Sequence, residues 1–243
     1  MTECWGLFYL VWTVLCYFMA KQLFVRTQKI YLSPIIVVPS LSIVLIFLLQ
    51  HQFQDYYFYT QYLVAMLGPI TVAFAIPVFR YRRMIQQHFK VLLFSSSLAM
   101  LVGIFSSWFL ASLLDFDDIV KNSLLARSIS IPFALVLTEK VGGSISLIPL
   151  FTVITGLVGM LLGDLLLLWI KYKNHLASGA ALGNAAHAMG IARARQRHKL
   201  EGVIASLSMI ISGIIMVLFA PSLIAVTKYL LGFIFFKSTR NRI

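Results

Sequence analysis

Long apolar stretches alternate with short polar ones along the whole chain, and no polar stretch is long enough to fold as a soluble domain. A helix needs about 20 mostly apolar residues to cross roughly 30 Å of hydrocarbon. Eight candidate spans follow: 4–20, 30–49, 57–79, 91–114, 124–140, 145–170, 176–192 and 203–222. Residues 223–236 are apolar but short, and read as the last turns of the eighth helix or an interfacial tail. Open sheet edges cannot be satisfied in lipid, so the pattern predicts an all-α fold.

The pattern also repeats. Shifting the chain by 115 residues lays Ala65, Leu67, Gly68, Ala73, Ile76, Arg80 and Arg82 onto Ala180, Leu182, Gly183, Ala188, Ile191, Arg195 and Arg197. Pro34 falls on Pro149 and Phe18 on Phe133 at the same offset. The expectation is one integral membrane domain over 1–243, made of two four-span repeats at about 4–114 and 119–229, with interrupted helices at spans three and seven.

Composition settles the class. Of 243 residues 60% are hydrophobic and 12% charged, and the mean hydropathy is +0.91. Soluble domains carry about 25% charged residues. The chain is therefore a polytopic membrane protein whose first partner is the lipid bilayer. The net charge of +12 sits in short clusters between spans, which indicates orientation in a membrane and not nucleic-acid binding. Cys4 and Cys16 form no disulfide or metal pattern, and no cofactor motif is present. Residues 1–20 lack a basic start and a small-residue cleavage site, and read as a first span.

Alternate connections carry Lys21, Arg26, Lys29, Arg80, Arg82, Arg83, Lys90, Lys140, Arg193, Arg195, Arg197 and Lys199, against Lys121, Lys171 and Lys173 on the intervening ones. Twelve against three puts the richer loops in the cytoplasm and the termini of an eight-span core outside. Re-entrant interrupted segments would invert the halves instead.

Candidate chemistry gathers at three weak points. Span three carries Gly68, Pro69 and Thr71; span seven carries Gly183, Asn184 and His187. Proline suits the first turn of a helix and asparagine its N-cap, so two half-helix N-termini are expected near mid-membrane, where free amides attract anions. The alternative is that both breaks are only kinks. Span five opens with Arg127, Ser128 and Ser130 ahead of Pro132. Arg127 is either a site residue or a snorkelling one, and His187 a substrate donor, a proton carrier or a packing residue. Asp164 reads as an interfacial carboxylate and Glu201 as a helix-start stabiliser. No nucleophile–base arrangement, metal spacing or phosphate loop appears, so an enzyme is not expected.

The stretches Arg127-Ser128-Ile129-Ser130-Ile131-Pro132-Phe133-Ala134, Gly142-Gly143, Gly183 through Ala194 and Glu201-Gly202 resemble the signatures of the LrgB/CidB family, and Leu67 through Pro77 resembles its N-terminal signature. The resemblance implies a multi-pass protein of the bacterial cytoplasmic membrane. It implies either a carrier of small monocarboxylates (pyruvate, lactate, or the glycolate and glycerate exchanged by the similar plastid protein) or an antiholin-like regulator of murein hydrolases and lysis. A small LrgA/CidA-type membrane partner and homo-oligomers are implied as well. Arg127 stands where the family offers lysine, and Ile131, Ala186 and Ile191 where it usually offers hydroxyls. On this reading the carboxylate site comprises Gly68, Pro69, Thr71, Arg127, Ser128, Ser130, Gly183, Asn184 and His187.

Overall fold

A computed structural model of the chain describes residues 2–27, 30–171 and 173–240, with side chains as far as 226. The described residues are almost entirely helical and contain no strand. Contacts divide the chain into two units, Met1–Pro69 and Ile70–Ile243.

The first unit holds α1 (Thr2–Thr27), α2 (Pro34–Leu48) and α3 (Phe53–Ala65). Pro34 sits at the start of α2, where its missing amide costs nothing, and Gln52 with Asp55 closes a capping box at α3. Thr13 Oγ1 of α1 meets Tyr56 Oη of α3 at 3.2 Å, and Tyr9 Oη of α1 meets His51 Nδ1, in the connection ahead of α3, at 3.0 Å.

Span three is interrupted, with α3 ending at Ala65 and α4 (Leu67–Ala73) starting just ahead of Gly68, followed by α5 (Ala75–Arg80). Met66 N–H still donates to the Tyr62 carbonyl, and Phe74 N–H to Ile70. Pro69 and Pro77 lack the amides that would reach Ala65 and Ala73, and those two residues end α3 and α4. The interruption is a pair of proline bends in one apolar stretch, Phe53–Arg80.

The second unit continues through α6 (Arg82–Gln87), α7 (Phe89–Leu113), α8 (Asp118–Leu125), α9 (Ile131–Val141), α10 (Ile148–Trp169), α11 (His175–Arg197) and α12 (Lys199–Arg240). Residues 223–236 continue α12 as helix. Five described stretches are long and apolar enough to cross a membrane: Cys4–Thr27, Phe53–Arg80, Phe89–Leu113, Ile145–Trp169 and Lys199–Val226; Pro34–Leu48 is shorter. The remaining two candidates, 124–140 and 176–192, are not straight spans.

Helix α11 doubles back. A straight helix of 23 residues is about 34 Å long. Yet the ring of His175 at its start stacks on that of His198 just past its end, with centroids 4.0 Å apart. The turn is at His187, whose φ of 50° and ψ of −128° lie far from helical values. The two arms touch so closely that a Cβ on Gly190 would collide with the Leu182 carbonyl. The second arm is tied to α10, for Asp164 pairs with both Arg193 and Arg197.

A second hairpin enters from the opposite end. Helix α8, capped by Asp117, leads into a tight turn at Ala126–Ser128 and extended backbone at Ile129 and Ser130. Helix α9 then returns to a left-handed Gly142, which brings Asn122 Nδ2 to the Gly142 carbonyl (3.2 Å) and the Ser144 amide to Ser123 Oγ (2.8 Å). The start of α7 packs with the open end of α11, through Leu92 against Ala180 and Ile204. Hence α7 plus the α8–α9 hairpin and α10 plus the α11 hairpin run in opposite directions. Within this unit the parallel four-span arrangement is replaced by two opposed helix–hairpin modules.

Candidate functional site

The hairpin tips meet partway along α7 and α10. Arg127, in the tip between α8 and α9, donates from Nε to Ser107 Oγ of α7 at 2.9 Å and points Nη1 at Thr155 Oγ1 of α10 at 3.5 Å. Thr155 lies seven residues, about 10 Å, inside the start of α10. Ser128 fills the notch at Gly103, where a Cβ would lie 2.6 Å from its Oγ. The other tip arrives from the far end. A Cβ on Gly156 of α10 would lie 3.4 Å from the Ala186 carbonyl, and one on Gly159 would collide with that of Ala185. The buried His187 ring lies beside the Ser128 main chain and in the field of Arg127.

This geometry relocates the expected half-helix N-termini. They are the start of α9 at Ile131, with Pro132 in its first turn, and the second arm of α11 after His187. At α9 Pro132 has no amide hydrogen and Phe133 and Ala134 both donate to the Ser130 carbonyl, so the positive end of the helix, more than a row of free amides, is what faces the tip region. Ile131 and Ile191, one from each start, pack on a shared core around Phe133 and Ala134. Gly183 and Asn184 are buried inside the first arm, not at a cap. Gly183 abuts Ala205 of α12, and Asn184 Oδ1 accepts from Ser96 Oγ at 3.4 Å. Gly68 and Pro69 are exposed, and a Cβ on Gly68 would meet nothing within 4 Å. Thr71 lies inside α4.

Polar capacity here is unspent. Ser130 Oγ and, on α10, Thr152 Oγ1 are buried without a hydrogen-bond partner, and the buried His187 ring has only the Ser128 main chain beside it. Among the described residues Arg127 pairs with no carboxylate; the ion pairs are those of Asp164 and Glu201 with Arg193, Arg197 and His175. Arg127 also borders a pocket of about 400 Å³ whose other walls are Leu124, Phe151, Ile154, Thr155, Val158, Gly159 and Ala185. A guanidinium removed from water without a counter-charge costs several kcal/mol, and an arriving anion offsets that cost.

Sequence reasoning missed Ser107 and Thr155, because neither stands in an unusual context in its own helix. It also separated Asp164 from its partners. Asp164 accepts from Arg193 Nε at 2.9 Å and Arg197 Nη1 at 3.0 Å, while Glu201 accepts from Arg197 Nε at 3.1 Å and meets His175 Nδ1 at 2.8 Å. The signal was available: ionisable residues near span ends seek partners, and only a folded-back α11 offers one.

The fold and site define a multi-pass helical membrane protein with two opposed interior hairpins. The LrgB-like family profile matches residues 13–226, and the chain belongs to that family. It is 30% identical over 220 residues to the uncharacterized protein YwbG of Bacillus subtilis (strain 168), covering 90% of this chain and 98% of that one. It is 27% identical over 218 residues to the uncharacterized protein YxaC of the same organism, covering 90% and 95%. No solved structure matches the chain.

Proposed function

We propose that the protein carries small monocarboxylates across the bacterial cytoplasmic membrane. The observation that carries this reading is Arg127: a half-buried guanidinium with hydroxyl partners only, beside an open pocket and near the two helix breaks at Ser130 and His187. Broken helices that aim positive dipole ends at an anion are the usual site of a secondary carrier. An antiholin-like regulator of murein hydrolases has no need of an uncompensated arginine there, so the carrier reading is preferred. An LrgA/CidA-type subunit or a second copy is the expected partner at the apolar outer faces.

Orientation follows from the revised topology. Arg82, Arg83, Lys90, Lys171, Lys173, Arg193, Arg195, Arg197 and Lys199 gather at one end of the second unit, whereas Asp115, Asp117, Asp118, Lys121, Glu139 and Lys140 lie at the other. The basic end belongs in the cytoplasm. Uptake of labelled pyruvate, lactate and glycolate into proteoliposomes, with and without a small LrgA/CidA-type partner, tests the reading. Saturable uptake that Arg127→Gln abolishes supports it; absence of uptake for every acid in both preparations contradicts it.

A further inference from the structure

Three helices of the second unit run side by side from its basic end: α7, the first arm of α11, and α12. Gly179 abuts Glu201 and Gly183, one turn on, abuts Ala205, so the first arm of α11 and α12 are parallel. Leu92 of α7 meets Ala180 and Ile204 in a buried apolar layer. One turn further along each helix stand Ser96, Asn184 and Ser208, which are buried as well. A layer of hydrocarbon is thus followed by a layer of oxygens, and their spacing is not that of closed hydrogen bonds. Ser96 Oγ lies 3.4 Å from Asn184 Oδ1 and 3.4 Å from the Ser208 carbonyl. A hydroxyl has a single hydrogen for these two acceptors. Both distances also exceed the about 2.5–3.0 Å of an ordinary O–H···O bond. Ser208 Oγ is wholly buried and has no hydrogen-bond partner. Polar groups left so in an apolar section cost free energy, which a ligand of positive charge offsets.

We infer that this layer is a Na⁺ site, held by Asn184 Oδ1, the Ser208 carbonyl and the hydroxyls of Ser96 and Ser208. Oxygens at about 2.4 Å from a cation of the size of Ca²⁺ or Na⁺ stand about 3.4 Å apart on neighbouring octahedral corners. The acceptors of one water, each at about 2.8 Å, would stand about 4.5 Å apart on tetrahedral directions. Ca²⁺ draws carboxylates into its shell. The carboxylate of α12, Glu201, is seven residues or about 10 Å away and is engaged by Arg197 and His175. Four neutral oxygens suit a small monovalent ion, and K⁺ needs a wider cage. Asn184 stands three residues ahead of His187, on the arm that carries the hairpin tip. Ser96 is seven residues, about 10 Å, along α7 from the Gly103 notch that holds Ser128. An ion here pins the first arm of α11 to α7 and α12 and adds a positive charge behind the tips. Ion and carboxylate then raise each other's affinity by the same factor. The ion site stands on the packing, and its coupling to an acid rests on the carrier reading.

The test is thermal unfolding of the full purified protein, titrated with NaCl against KCl and choline chloride at constant ionic strength. The expected result is a saturable rise of the midpoint with Na⁺ alone. Ser96→Ala removes one oxygen and weakens the apparent Na⁺ affinity about tenfold or more. Asn184→Asp keeps an oxygen in place and adds a charge, so Ca²⁺ stabilises this variant and leaves wild type unmoved. An amide that merely packs predicts no such gain. Should Asn184→Asp not fold, Ser96→Ala decides, since it takes away an oxygen and little volume. Identical midpoints in the three chlorides, or Na⁺ stabilisation unchanged in Ser96→Ala, place no ion in this layer and overturn the inference. That result together with saturable uptake of labelled pyruvate or lactate in choline medium leaves the carrier reading standing. Absence of uptake in every medium, with Ser96-dependent Na⁺ stabilisation intact, contradicts the carrier reading and leaves the ion site standing.

Discussion

His175 and His198 stack ring on ring at 4.0 Å and 9° between planes, although they stand at the two ends of one helical segment. That contact makes 175–198 a hairpin that enters and leaves at one end. Lys173 and Gln196 are therefore expected on the same face of the membrane as Arg83, with Lys140 on the opposite face. In a background without Cys4 and Cys16, single cysteines at 83, 173 and 196 should label from the cytoplasm and one at 140 from outside. Labelling of 173 and 196 from opposite faces would show a crossing span and refute the hairpin.

Two glycines that the internal repeat pairs or neighbours should behave differently. Gly68 stands in open space apart from its chain neighbours but precedes Pro69, which disfavours a helical residue with a Cβ, so Gly68→Ala should change stability by no more than about 1 kcal/mol. Gly190 lies where a Cβ meets the Leu182 carbonyl of the other arm, and main chain cannot move aside as a side chain can. Gly190→Ala should cost about 1–3 kcal/mol or prevent folding. Thermal unfolding of the two purified variants decides the matter, and equal midpoints would contradict the closed arms.

The backbone at His187 supplies a test of sign. In an ordinary helix interior alanine is favoured over glycine by about 1 kcal/mol. At φ 50° the order should reverse, because glycine alone reaches that conformation without strain. His187→Gly should therefore unfold at a higher temperature than His187→Ala, by roughly 2–4 °C for a chain of this size. The ordinary order would mean that α11 is a continuous helix.

Much of the fold was legible as composition: each of the five long crossings coincides with an apolar run, because lipid admits little else. The hairpins were not, because 176–192 reads as a span by length alone. Its content argues otherwise on closer inspection. The segment is built mostly of alanine, glycine and serine, and its four large apolar side chains are Leu176, Leu182, Met189 and Ile191, a composition that suits close packing against other helices more than a lipid-facing span. Likewise the 115-residue repeat drew attention to Gly68 and Gly183, but Pro69 only bends its helix while the turn in α11 falls at His187. Arg127 and Ser128 do lie close to His187, and their conjunction required the tertiary fold, since 60 residues separate Arg127 from His187.

The account turns on Arg127 as the charge that a carboxylate meets, and ligand-dependent thermal stabilisation of purified variants measures this most directly. A charge-assisted hydrogen bond is worth about 1.5–3 kcal/mol, so Arg127→Gln should weaken monocarboxylate binding by about one to two decades. Arg127→Lys should restore much of it, since it keeps the charge and loses only the planar fork. Wild type and Arg127→Gln stabilised equally by every monocarboxylate, across the concentration range that saturates wild type, would contradict the site at the hairpin tips.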